Sequence, residues 1–236
     1  MSLRDAWERH ADEWAAWARA PGHDAYWQFH AERFFRIVPE PGRLTLDLGC
    51  GEGRVGRDLL RRGHRVVGVD TSPTLSALAV THEEPVQVAL ADAAALPLPD
   101  GVADLAVAFM SPQDVDDLAG AMRETARVLR PGGRLCLATV HPLNSAGSFA
   151  GERHDAAAPF VIDGNYFEPR RYADEVESEG LTMVFHSEHR SLETYALALE
   201  DAGFVIDAVR EVTSGDPEDR WFRIPLFLHL RGVLAA

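Results

Sequence analysis

Apolar positions along this chain fall into two alternating rhythms. Short, mostly apolar runs recur at 44–48, 65–69, 86–90, 105–109 and 134–140, as in strands buried on both faces. Between them the spacing turns helical: Val55, Leu59 and Leu60 lead to Gly63, and Leu118, Met122 and Leu129 lie in 114–129 before Pro131-Gly132-Gly133. Ser72-Pro73 has the form of an N-cap followed by proline at the first helical position. This alternation predicts an α/β fold, a doubly wound and mostly parallel sheet with helices on both faces.

The rhythm fails at both ends of that core. Residues 1–38 predict two helices broken at Pro21-Gly22, with Trp7, Trp14, Trp17, Tyr26, Trp27 and Phe29 spread among charges. Residues 144–190 are polar and irregular, with glycines at 147, 151, 164 and 180. A helix from Ser191 and strands at 205–209 and 225–230 then resume the pattern. The expected organisation is an N-terminal helical lid (1–38), a cofactor-binding α/β core (39–143), an insertion lining an acceptor site (144–190), and a closing helix and strands (191–236).

Charge narrows the chemistry. The chain has 236 residues and a net charge of −14, and all 23 of its basic residues are arginine. Without lysine, Schiff-base enzymes, pyridoxal enzymes and P-loop NTPases are excluded. The acidic balance argues against nucleic-acid and anionic membrane partners. No apolar stretch is long enough to span a bilayer. Cys50 and Cys136 are too few for a disulfide framework or a zinc site, and no His/Asp cluster suggests a metal. A cytoplasmic protein, monomer or homodimer, is expected.

Gly51-Glu52-Gly53-Arg54-Val55-Gly56 matches the dinucleotide fingerprint, but three acids redirect that reading. Asp47 lies two residues before Gly49, where a carboxylate suits an ammonium and opposes a pyrophosphate. Asp70 ends the next strand, placed to accept a ribose diol. Asp92 follows the third strand, placed for an adenine amine. Together they describe a cationic adenosine, and S-adenosylmethionine fits that description.

Leu46-Asp47-Leu48-Gly49-Cys50-Gly51-Glu52-Gly53-Arg54 resembles motif I of the class I S-adenosylmethionine-dependent methyltransferases. Val67 to Ser72 resembles motif II, Ala91-Asp92-Ala93 with Leu96-Pro97-Leu98 motif III, and Leu129 to Leu135 the approach to the fifth strand. The resemblance implies a Rossmann-like sheet of seven strands with the last inserted antiparallel. It implies that Gly49, Cys50, Gly51 and Gly53 line the methionine and ribose. Asp70 would hold the diol, and Thr71 or Ser72 would flank the adenine. Ala91, Asp92 and Ala93 would meet the adenine edge, and Phe109 and Met110 would border the sulfonium.

Phe109-Met110-Ser111-Pro112-Gln113-Asp114 lacks the Asn/Asp-Pro-Pro-Tyr tetrapeptide of the family's nucleic-acid and protein amino-methylating members, so a small-molecule O, N or C acceptor is expected. Asp114 has a simpler reading as a helix N-cap. For a base, His141 follows the fifth strand, and His186 and His189 flank the closing helix. The alternative role for His141 is a hydrogen bond to a loop carbonyl, with Pro142 fixing the turn. Two other functions remain open at this level: a module that binds the cofactor without catalysis, and an NAD-dependent oxidoreductase.

Overall fold

The structure, a computed structural model, describes residues 1–151 and 155–235. Seven strands form the central sheet: β1 (Thr45–Leu48), β2 (Val66–Asp70), β3 (Gln87–Leu90), β4 (Ala103–Phe109), β5 (Leu129–Val140), β10 (Phe204–Val212) and β11 (Phe227–Leu234). Their order is β10-β11-β5-β4-β1-β2-β3, parallel throughout except that β11 runs antiparallel between β10 and β5. The central strands are largely apolar because helices cover both faces. On one face Leu46, Leu48, Ala106, Leu135 and Leu137 pack with α6 (Leu118–Val128) and α8 (Leu192–Asp201). On the other, Leu105, Val107 and Phe109 meet Val55 and Leu59 of α4 (Arg54–Arg61) and Phe34 of α3 (Ala31–Phe35).

Several boundaries differ from the sequence pattern, each for a local reason. The expected helix over 114–129 begins only at Leu118, capped by the Asp117 side chain on the Gly120 N–H. Strand β5 starts at Leu129, because the ladder jumps from Ala103↔Leu129 to Leu105↔Arg134 and absorbs the Pro-Gly-Gly turn as a bulge. The leader has more pieces than two. Helix α1 (Leu3–Arg9) stops at His10, α2 (Ala11–Arg19) runs on to Arg19, and a single π-turn (Tyr26–His30) precedes α3.

The 144–190 segment is not irregular. After α7 (Pro142–Ala146) it forms a small ribbon, β6 (Gly147–Phe149) with β7 (Phe160–Ile162). A longer hairpin follows, β8 (Arg170–Ser178) with β9 (Leu181–His189). Helices α1 and α2 pack on β9 and on α5 (Pro73–Val80). Glu8 fixes that contact by accepting from the Thr74 hydroxyl at 2.6 Å and from Ser72. Among the described residues no helix is long and apolar enough to cross a membrane.

Candidate active site

The carboxyl ends of β1, β2, β3 and β4 open into one cavity of about 720 Å³. Such edges are where open α/β sheets hold ligands, and the volume lies in the range of small-molecule sites. The glycine turn after β1 forms its floor. Gly49 (φ +67°) and Gly51 (φ +55°) adopt left-handed backbone that a side chain resists. A Cβ at Gly49 would overlap Ser111, and one at Gly51 would come within 3.1 Å of the Trp14 ring nitrogen. Only bare backbone leaves the slot between the turn and Trp14 open.

Asp70 stands at the end of β2 in the cavity wall. One oxygen accepts the Gly51 N–H at 2.7 Å and the other accepts the Ser72 N–H at 2.9 Å. The carboxylate is thereby locked in place with lone pairs still free for a diol. Burial lifts its carboxyl above the ordinary range, against the pull of those hydrogen bonds. Thr71, Ala91, Asp92 and Ala93 continue this wall, with Asp92 also accepting the Ala94 N–H at 2.9 Å. Phe109, Met110 and Cys50 border it as well. The slot, the locked carboxylate and the polar rim at β3 suit an adenosyl ligand with an amino-acid chain.

Three residues expected at the cofactor lie elsewhere. Asp47 is buried beneath the glycine turn, outside the cavity wall, with Oδ2 unpaired and facing Gly56. Burial, and then the charge of Asp70, push its carboxyl up to about 7. Gly53 (φ +91°) caps α4 and packs on Ala79 and Val86. The Ser72 hydroxyl caps α5 and faces Glu8.

None of the three candidate imidazoles reaches the cavity wall. His141 is buried; its Nδ1 accepts the Leu143 N–H at 3.0 Å, capping α7, and its Nε2 pairs with Glu211. His186 stacks on His10 at 5.2 Å, away from the cavity. His189 is held between the Ser145 hydroxyl at 2.7 Å and the Tyr166 carbonyl.

The far end of the cavity holds what the sequence pattern did not reveal. Asp114 caps no helix. It is half-buried in the wall, with Oδ1 accepting from Ser187 Oγ at 2.7 Å and Oδ2 from Gln113 Nε2 at 3.2 Å. Gln113 in turn donates to the Met110 carbonyl and accepts from Thr139, which pairs with Tyr195. This chain of bonds steadies Met110 at φ +56°, a conformation costing about 1–2 kcal/mol for a residue with a side chain. Tyr172 and Phe185 of the hairpin and Phe149 of the small ribbon complete this end. Trp7, Trp14 and Trp17 close over the cavity with Phe185, ring centres 5.7 to 6.4 Å apart.

His30 also lines the cavity and makes a buried contact with His229 of β11, Nε2 to Nε2 at 2.8 Å. One ring must donate and the other accept, so both are neutral. Burial lowers both, His229 down to about 4. Because the unfolded imidazoles bind protons near about 6.5, this pair contributes full stability above that pH. Its contribution falls as pH drops from about 6.5 to about 4, a loss of about 3 kcal/mol for His229 alone. Asp47 works in the opposite sense, since its raised carboxyl stabilises the fold at low pH and loses that contribution as pH rises towards about 7. Urea titrations of wild type and His229→Gln between neutral and acid pH separate the two: the variant is expected to lose the His229 share of the slope.

Residues 46–137 match the family profile described as "Methyltransferase domain". The chain is 38% identical over 114 residues to a demethylmenaquinone methyltransferase of Mycobacterium marinum, covering 48% of each chain. It is 34% identical over 124 residues to a malonyl-[acyl-carrier protein] O-methyltransferase of Serratia marcescens, covering 48% of this chain and 47% of that one. The chain thus spans about half the length of these curated relatives. In structure it is similar to an S-adenosylmethionine-dependent methyltransferase from Mesorhizobium loti, with a TM-score of 0.69 and 25% identity over 89% of this chain and 98% of that one. The matched segment runs from β1 to β5 and carries the glycine turn, Asp70, Asp92 and Met110. Residues 46–137 thus carry a methyltransferase domain, on a fold similar to that of an S-adenosylmethionine-dependent methyltransferase.

Proposed function

We propose that this protein transfers a methyl group from S-adenosylmethionine to a small molecule bound between the end of β4 and the β8–β9 hairpin. The observation that carries the reading is the two-ended cavity: a glycine slot and locked carboxylate at one end, aromatic rings and a second carboxylate at the other. Gly49, Gly51, Asp70, Thr71 and Asp92 would hold the cofactor. When bound, it supplies a methyl group already activated on a positively charged sulfur. The protein's share is then alignment and dryness, which together are worth about 7–11 kcal/mol when geometry is productive. Phe109 and Met110 border the slot where the two ends meet. Trp7, Trp14 and Trp17 exclude water from above. The relatives named above carry different acceptors in their names and match about half of this chain, so the acceptor is argued from the far wall alone.

Calorimetry with S-adenosylhomocysteine and with NAD tests the cofactor, and a labelled-methyl screen of small-molecule pools tests transfer. NAD binding without binding of the adenosyl-sulfur ligand would sink the reading. The helix-capping contacts of His141 give a further expectation. His141→Ala should lower stability by about 1 kcal/mol through loss of the α7 cap and leave turnover unchanged. A thermal melt and a rate measured on the same preparation check both halves.

A further inference from the structure

We propose that Asp114 takes the acceptor's proton, and that the acceptor is an amine on a flat apolar scaffold; this rests on the methyl-transfer reading above. The placement of Asp114 supports this. It sits four residues beyond Met110, where the cofactor edge of the sheet ends, and its carboxyl forms part of the cavity wall. Its orientation is set from two directions, by Ser187 of the hairpin and by Gln113, itself anchored on Thr139 and the Met110 carbonyl.

No guanidinium among the described residues forms a direct ion pair with Asp114. Arg190 donates to the Pro112 carbonyl at 3.1 Å and the Val115 carbonyl at 2.6 Å, and pairs with Glu188. Arg171 pairs with Asp116. Arg170 donates to the Asp163 and Ser145 carbonyls, and Arg220 lies 4.8 Å over the Phe149 ring. Tyr195 is taken by Thr139. Tyr172 and Asp174 of the hairpin share the wall, so a second carboxylate faces the same space. Burial raises the Asp114 carboxyl well above the usual range, partly opposed by Ser187 and Arg190. A poorly solvated carboxylate without a direct ion-pair partner favours a ligand that brings one. An anionic acceptor at this end would meet Asp114 and Asp174, while of the wall's other arginines Arg54 is paired with Asp24 and Arg4 is exposed on α1. Phe149, Phe185 and Trp221 supply the apolar faces for its scaffold.

The step balances without another reactant. The amine enters as an ammonium and gives one proton to the Asp114 carboxylate. Its freed lone pair closes on the methyl carbon as the carbon–sulfur pair returns to sulfur, leaving a thioether and a methylated ammonium. The proton on Asp114 leaves to solvent with the product.

The test uses the full chain saturated with S-adenosylhomocysteine and three probes of one scaffold: benzylamine, benzyl alcohol and benzoate. Ligand-observed NMR at neutral pH is expected to rank them amine, alcohol, benzoate. Asp114→Asn should weaken the amine by about tenfold or more while keeping the alcohol and S-adenosylhomocysteine. Ser187→Ala, a smaller change that leaves the carboxylate in place, should lose part of the same selectivity. Benzoate or the alcohol bound as tightly as the amine, no amine binding, or amine affinity retained in both variants overturns the proposal. Failure of S-adenosylhomocysteine to bind wild type would strike the cofactor reading separately. On an amine that wild type methylates, Asp114→Asn should lower kcat by about 100-fold or more.

Discussion

Glu52→Ala is expected to destabilise the protein by about 3–5 kcal/mol, lowering Tm by on the order of 10 °C. Glu52 is the residue between the two glycines of the motif, and it is only 1% exposed. Both of its carboxylate oxygens accept from the Arg57 guanidinium, at 2.6 and 2.7 Å, and Arg19 of α2 adds a third bond at 3.0 Å. Arg57 is buried too, so removing Glu52 strands a guanidinium in a medium that solvates it poorly. The loss would spread, because Arg57 also holds the Glu52 carbonyl at 2.8 Å and so shapes the glycine turn. Differential scanning calorimetry of Glu52→Ala against a double variant with apolar residues at both positions checks the cause. The double variant should recover much of the loss, since breaking a buried pair is costlier than replacing it.

Asp70→Ala is expected to weaken S-adenosylhomocysteine by about 10- to 100-fold, measured by titration calorimetry. Two losses combine there. The ribose hydroxyls lose a charged acceptor, and the Gly51 N–H loses the oxygen that aims the turn. Asp70→Asn separates them, since its amide oxygen can keep one backbone contact while the charge is gone. Folding stability should change less than affinity, because Ser72 retains its own cap on α5.

What the sequence disclosed follows from how locally each feature is encoded. The parallel strands were legible because covered strands are apolar on both faces, as over Leu105–Phe109 of β4, and the glycine turn because its backbone admits little else. The β8–β9 hairpin was hidden because it is two-stranded and its buried face is largely polar. Its inward positions on β9 are Met183, Ser187 and His189, so two of the three buried residues there are polar. Asp114 was obscured by Asp116 and Asp117, any of which could precede a helix, and only the fold shows that Asp117 is the cap. Asp47 matched a ligand-binding pattern, yet its strand position turns it under α4; side-chain parity decided its place, and the motif does not state it. His141 meets the Leu143 N–H and Glu211, where its simpler reading had a loop carbonyl as the partner.

The antiparallel insertion of β11 bears on the order in which the chain can assemble. Strand β10 bonds to the sheet only through β11, although β10 is made first. His30 of the leader finds its partner in the same strand, 199 residues later. During synthesis the edge of β5 and His30 must therefore wait, unsatisfied, until β11 has left the ribosome. Closure of so long a loop is slow compared with the local βαβ steps that build the cofactor half. Nascent chains halted before β11 should accordingly be the form of this protein that seeks a chaperone or aggregates.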